Sequence, residues 1–295
     1  FKSIRLQFVP DVERQTLKIL AEPPLASVQV LNNVVLDNER CDDWLARIKL
    51  TAPGDRNGAR LLFSGSYSVA CGERERNYSV LGHAQYVHAL FTYLWRELGG
   101  SFAGGVRDGL VTAGARPLLA YQTQPLAEVV RDINKYSNNV MARELYLSLG
   151  AQALGAPATY EKSERAVRQW LAMRNLPIQG LALENGSGLS RVERISARNM
   201  GQLLLAAYES PVMPEFIASL PLVAMDGTMK RRLNATAIAG QAHIKTGSLS
   251  GVRAIAGYIL DAKGRTMVVV CIINHPNTRS ASVVQDAVIR WIYEK

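Results

Sequence analysis

The chain opens on short stretches in which apolar and polar residues alternate. Ser27-Val28-Gln29-Val30 and Ala46-Arg47-Ile48-Lys49-Leu50 keep a period of two, which predicts half-buried strands, and Phe1-Lys2-Ser3-Ile4-Arg5-Leu6 reads as another. Residues 51–58 are dense in turn formers and predict a link into a strand over 59–64. Near Tyr78 the pattern lengthens to helical spacing. Ser79 is expected to cap a helix running through Trp95, with Leu81, Tyr86, Val87, Leu90, Phe91 and Leu94 on its apolar side and Gly99-Gly100 as its stop. Further helices are predicted over residues 126–133, 140–149 (ending at Gly150), 161–174, 197–208 and 282–293. Thr159 reads as the cap of the third of these. Between the last two helices the period returns to strand over 243–246, 252–260 and 266–273, with Asp261-Ala262-Lys263-Gly264 as a hairpin turn. Helices packed on an antiparallel sheet define an α+β fold.

Composition changes this picture little. The chain has 295 residues, 48% of them apolar and 20% charged, which suits one large or two modest globular domains and argues against wholesale disorder. Apolar runs such as 267–273 are far too short to cross a bilayer, so no transmembrane segment is expected. No cleavable leader is visible, and the opening Phe1-Lys2-Ser3 reads as the middle of a longer chain. The formal charge of +9 favours polyanionic surroundings: nucleic acid, acidic lipid or an anionic cell wall. The basic residues are dispersed, with Lys230-Arg231-Arg232 the densest group and no interleaved aromatics, so nucleic-acid binding is not expected. Cys271 lies in an apolar run and reads as a buried free thiol. Cys41 and Cys71 sit in the polar first quarter; a disulfide between them suits an exported protein, and two unrelated thiols are the alternative. The histidines, His83, His88, His243 and His275, are scattered, and no metal site is expected.

Three short stretches carry candidate chemistry. Tyr136-Ser137-Asn138-Asn139 falls between two predicted helices. Glu184-Asn185-Gly186-Ser187-Gly188-Leu189-Ser190 is a glycine-rich loop before another helix. His243-Ile244-Lys245-Thr246-Gly247-Ser248 ends a strand. Each has an ordinary explanation: a helix N-cap at Ser137, a chain turn at Gly186 and Gly188, a solvated lysine at Lys245. Their order outweighs those explanations. A Ser-x-Asn between helices, followed by Lys-Thr-Gly on a strand that opens an antiparallel meander, resembles the active-serine penicillin-recognising enzymes. With Leu220-Pro221-Leu222-Val223-Ala224-Met225-Asp226-Gly227-Thr228 and Lys245-Thr246-Gly247-Ser248-Leu249-Ser250-Gly251-Val252, the chain is similar to the low-molecular-mass class C penicillin-binding proteins, which are D-Ala-D-Ala carboxypeptidases and endopeptidases. Asn185 departs from the Asp that the family more often has before Gly-Ser-Gly.

The resemblance implies a transpeptidase domain of the penicillin-binding protein and β-lactamase type over residues 76–295. Residues 1–75 would be the end of a β-rich insert, in which Cys41 and Cys71 are placed to form a disulfide. It implies a serine-type carboxypeptidase or endopeptidase in the periplasm, acting on the D-Ala-D-Ala end of peptidoglycan stem peptides and inhibited by β-lactams, with no cofactor. Ser137 would relay a proton, Asn139 would orient a lysine and the substrate amide, and Lys245 would supply positive charge. Thr246, Gly247 and Ser248 would hold the substrate, and the Ser248 N–H would form half of an oxyanion hole. The family's nucleophile is the serine of a Ser-x-x-Lys motif, and no serine of this chain has a lysine three positions on. That motif is therefore expected upstream of Phe1, in a missing N-terminal segment of the same protein, and this chain alone is expected to be inactive. The alternative is a non-catalytic peptidoglycan-binding fragment or pseudoenzyme. A serine β-lactamase shares the motifs but seldom carries so large a β insert. Asp226 and Gly227 read as a structural turn.

Overall fold

The structure, a computed structural model, describes residues 2–52, 54–55, 58–176 and 178–295. It divides into two compact units, residues 1–118 and 119–295.

The first unit is built on a seven-stranded sheet. Its strands are β1 (Ile4–Asp11), β2 (Thr16–Glu22), β3 (Val28–Asp37), β4 (Ile48–Thr51), the two-residue β5 (Gly54–Asp55), β6 (Gly58–Ser68) and β7 (Arg74–Tyr78). They lie in the order β4-β6-β3-β2-β1-β7, with β5 also on β6 and β3 parallel to β6. Alternation aims Ile4, Leu6 and Phe8 of β1 and Leu61, Phe63 and Tyr67 of β6 into one core. Phe8 packs edge-on against Phe63 and Trp44, with ring centroids 5.5 and 5.1 Å apart. Each such ring, fully buried, contributes roughly 2–3 kcal/mol. Cys41 and Cys71 are joined in a disulfide.

Several expectations are corrected here. Ala46 and Arg47 belong not to a strand but to a helical turn, α1 (Trp44–Arg47), because the Asp43 carboxylate accepts the N–H groups of Leu45 and Ala46. The strands after Ser27 and Ala59 run longer than the alternation suggested. Of the turn-forming stretch 51–58, Pro53, Arg56 and Asn57 lie outside the described residues, as does Phe1 of the predicted opening strand. Ser79 caps nothing: α2 (His83–Glu97) starts at Gly82 and ends at Leu98, where Gly99 takes φ +83°. Its Ala89, Tyr86 and Leu90 join the core, whereas Val87, Phe91 and Leu94 are about half exposed.

The second unit has a three-stranded antiparallel sheet in the order β10-β9-β8, formed by β8 (Ala242–Leu249), β9 (Val252–Leu260) and β10 (Thr266–Asn274). Ile255 and Ile259 on one face of β9 pack with Ile289 of α8 (Ala281–Tyr293). Tyr258 on the other face packs with Leu204 of α6 (Ala197–Tyr208) and Phe216 of α7 (Met213–Ser219). Because β9 is covered on both faces, it reads as a nearly unbroken apolar run. Three more helices, α3 (Leu126–Tyr136), α4 (Asn139–Leu154) and α5 (Tyr160–Met173), precede these. Thr159 caps α5 as expected, accepting the Lys162 N–H. Gly150 does not end α4. A Cβ there would lie 2.5 Å from Ser163 Oγ, so glycine serves close packing of α5, and the helix runs on to Leu154. The short α7 escaped the sequence reading, and Cys271 is a free thiol, half-buried rather than buried. The α+β class is as expected.

Candidate functional site

Helix α3 ends at Ser137, which takes the left-handed conformation (φ +52°, ψ +49°) as its C-cap. A non-glycine residue costs about 1 kcal/mol or more there, and glycine would fill the role more cheaply. Asn138, not Ser137, caps the next helix by accepting the Met141 N–H. The Ser137 hydroxyl is thereby released from capping. It accepts a 2.9 Å hydrogen bond from Lys245 Nζ, which also donates to the carbonyl of Thr246 at 2.7 Å.

Lys245 is placed by β8, and no carboxylate pairs with its ammonium among the described residues. Burial lowers its pKa from the ordinary lysine value. Its amine is partly stripped of water and meets no neutralising carboxylate among the described residues.

β8 is an edge strand. Ile244 donates its N–H to Pro221 and Ala242 accepts from Val223, so even-numbered positions point their peptide groups away from β9. The β8–β9 register continues unbroken to Leu249, which puts the N–H groups of Thr246 and Ser248 on that same edge. The isolated bridge Leu222–His243 covers only the start of the edge. A Cβ on Gly247 would touch only Ala254, at 3.4 Å for the nearest atom. The sheet does not require glycine at this position; a side chain would instead fill the cleft.

Asn139, at the first turn of α4, donates from Nδ2 to the Ser187 carbonyl at 2.6 Å. This brings the glycine loop to the same place. Ser137, Asn139, Gly186 to Gly188, Thr228 and Lys245 to Ser248 line one cleft of about 480 Å³. Six residues singled out from the sequence (Ser137, Asn139, Lys245, Thr246, Gly247 and Ser248) thus converge, although Ser137 and Lys245 are 108 positions apart. Cys41 and Cys71 belong to the first unit and to none of this. A larger apolar cavity of about 800 Å³ lies between α4, α5 and α6 and contains none of these groups.

Three contributors escaped the sequence reading. Thr228 accepts a hydrogen bond from Thr246 Oγ1 at 2.8 Å. It reaches the cleft because Asp226 anchors the preceding turn, accepting the Leu222 N–H at 2.7 Å and pairing with Lys135 at 2.7 Å. Tyr146 underlies Gly186, where a Cβ would lie 2.5 Å from its side chain and φ is +68°. Burial pushes the Tyr146 hydroxyl up to about 12, so it stays neutral. His243 is held below the ordinary histidine value, chiefly by burial and then by the Lys135 charge. The Asp-Gly-Thr string at 226–228 was the available signal for Thr228. Tyr146 and Lys135 lie on helices whose spacing says nothing about the cleft.

The D-Ala-D-Ala carboxypeptidase 3 (S13) family model matches residues 12–295. Carboxypeptidase DacB of Mycolicibacterium smegmatis is 32% identical over 185 residues, which are 60% of this chain and 40% of that protein. A D-alanyl-D-alanine carboxypeptidase of an Actinomadura species is 32% identical over 180 residues, 59% of this chain and 33% of that protein. The match therefore spans well under half the length of these curated relatives. The crystal structure of penicillin-binding protein 4 (dacB) from Haemophilus influenzae, complexed with a β-lactam, covers 100% of this chain with a TM-score of 0.76 at 21% identity; this chain covers 70% of that one. At that identity the likeness speaks to the fold.

Proposed function

The chain belongs to the D-Ala-D-Ala carboxypeptidase 3 (S13) family, and from that premise we propose that its cleft receives the D-Ala-D-Ala end of a peptidoglycan stem peptide for serine-type acyl transfer. The observation that carries the reading is the 2.9 Å bond between Lys245 and Ser137 beside an open strand edge. An extended peptide pairs with such an edge by β-augmentation. Its terminal carboxylate meets the unneutralised Lys245 ammonium and the hydroxyls of Thr246, Ser248 and Thr228. Asn139 offers an amide that donates and accepts, suited to the substrate amide and to a lysine.

In this mechanism a serine from a Ser-x-x-Lys motif, which these 295 residues do not contain, attacks the carbonyl between the two D-alanines. The serine gives its proton to the lysine of its own motif, the tetrahedral oxyanion forms against the Ser248 N–H, and the amide C–N bond then breaks. Ser137 passes a proton to the departing D-Ala amine and recovers one from that motif lysine, with the charge of Lys245 setting the direction. Water then attacks the ester, releasing the shortened peptide and restoring the serine. One oxyanion donor is worth about 3 kcal/mol. The same groups would admit β-lactams, as the relative's complex suggests by analogy. Such a substrate lies outside the cytoplasm, and we place the protein in the periplasm, in keeping with the Cys41–Cys71 disulfide. We retain the division into the end of an insert domain (1–75) and a transpeptidase domain (76–295). It follows the resemblance carried by the motifs of residues 76–295 and differs from the division by packing after Leu118.

Fluorescent penicillin labelling with denaturing intact mass tests the reading. A stoichiometric adduct on a Ser-x-x-Lys serine supports it. An adduct on this chain itself overturns the assignment of the nucleophile. No adduct in a protein that carries the motif overturns the catalytic reading in favour of a peptidoglycan-binding role.

A further inference from the structure

We propose that Glu193 is a positioning residue for the cleft, bracing the glycine loop from inside so that the Ser187 carbonyl fixes Asn139. The proposal rests on the acyl-transfer reading for its consequence, though not for its geometry. Residues 183–193 form a closed loop whose base is the reciprocal pair of backbone hydrogen bonds between Ala182 and Arg194, both 3.0 Å. Inside it, one oxygen of the Glu193 carboxylate accepts the successive N–H groups of Glu184, Asn185 and Gly186 at 3.3, 3.2 and 3.1 Å. Three converging peptide dipoles make a nest for an anion, and here the chain supplies its own.

The rest of the loop is fixed by short polar side chains. Asn185 Oδ1 accepts the Ser187 N–H at 2.9 Å, and Ser187 Oγ accepts the Leu189 N–H at 3.2 Å. Ser190 Oγ accepts the N–H groups of Val192 and Glu193, closing the path back to the carboxylate. The loop meets α4 at two points. Gly186 lies on Tyr146, and the carbonyl of Ser187, itself 3% exposed, takes the Asn139 amide at 2.6 Å. Positions 139 and 146 are two turns apart on one helix face, so the contacts fix both the height and the tilt of the loop. Asn139 has rotamer freedom of its own, and the orientation of its side-chain oxygen follows from where the Ser187 carbonyl draws its nitrogen. Glu193 does not itself line the cleft. Its influence on chemistry runs through the loop.

The test has two independent readouts. In the 295-residue chain, amide exchange at Asn185 and Gly186 and the side-chain NH₂ resonance of Asn139 are compared in the wild type, Glu193→Ala, Glu193→Gln and Glu193→Asp. In the form that carries the Ser-x-x-Lys serine, acylation by a fluorescent penicillin is resolved into binding and chemical steps. Glu193→Ala is expected to speed exchange about a hundredfold and to shift the Asn139 resonance toward that of a free amide. It should slow acylation by about 10- to 100-fold while leaving binding nearly unchanged, as a small misplacement of a reacting group does. Glu193→Gln keeps an acceptor oxygen in place and should restore most of both signals. An unmoved Asn139 resonance in Glu193→Ala overturns the proposal whatever the rate does. So does a Gln variant as impaired as the Ala variant. If Glu193→Ala does not fold, Glu193→Asp, one methylene too short to reach the nest, supplies the same comparison. A wild type that resists acylation overturns the proposed activity, while the Asn139 resonance still decides the brace.

Discussion

The two units bury different things. The core of the first is a stack of Phe8, Trp44, Phe63 and Tyr67, tied by a disulfide, and its buried polar residues among those described are Ser68 and Thr92. The second buries Ser163, Ser187, Ser219, Asp261, Thr278 and Gln285, together with much of Lys245. Of the six described non-glycine residues with positive φ, Gln15 alone lies in the first unit; Ser137, Asn175, Ala224, Leu233 and Ala235 lie in the second. Left-handed backbone and buried polar side chains are thus concentrated in the second unit, and Ser137, Ser187 and Lys245 among them line its cleft.

Substitution at Lys245 should separate the units most sharply. Lys245→Met is expected to slow penicillin acylation of the nucleophile-bearing form about a thousandfold, near 4 kcal/mol, and to stabilise the fold by about 1 kcal/mol by removing a desolvated charge. A loss of stability in urea titration would mean that the ammonium is a structural group after all. At Phe63 no such opposition is expected. Phe63→Ala should cost about 3–5 kcal/mol in the same titration, because it opens a cavity under Phe8. A cost under 1 kcal/mol would put the first unit's stability elsewhere. Replacing both Cys41 and Cys71 by serine releases a loop of 30-residue separation and should cost about 3 kcal/mol, a loss that reduction of the wild type should reproduce.

Two smaller effects sharpen the contrast. The folded pKa of Lys245 lies below its unfolded value, so the unfolded chain holds this proton more tightly. Stability is therefore penalised at neutral pH, and the penalty is relieved as pH rises through the lowered folded pKa toward the unfolded value of about 10.4. The advantage of Lys245→Met should narrow over that alkaline window, and a gap that stays constant there would contradict the burial argument. Ala235→Gly, which relieves a φ of +56°, should gain about 0.5 kcal/mol in thermal unfolding. A loss instead would show that the backbone at 235 carries no strain.

Legibility in the sequence followed the same divide, for physical reasons. The meander was readable because its strands are short apolar runs bounded by turn residues. Lys245, Thr246, Gly247 and Ser248 were readable because one strand carries them in order. Ala46 was misread since a carboxylate one turn upstream, at Asp43, overrode the alternation. Gly150 was taken as a stop when its bare Cα serves a neighbour, Ser163, that no local pattern reveals. Glu193, Tyr146 and Lys135 stayed hidden because their partners lie across a loop or on other elements. For Ser137 the order of motifs pointed to the residue, but its left-handed backbone, with the capping duty passed to Asn138, became visible only in three dimensions.

The open edge of β8 carries a hazard as well as a use. A strand that leaves edge groups such as the Ser248 N–H open, as the proposed docking of an extended substrate requires, accepts any extended backbone, including another copy of itself. Here the exposed row is short. The bridge from Leu222 occupies its beginning, and the hairpin to β9 closes its end within two residues of Leu249. Lys245 adds a charge that a second identical edge would have to approach. A mutation that extended this edge with β-branched residues would be tolerated by the sheet and punished in the test tube, as a protein that unfolds no sooner but precipitates as it is concentrated.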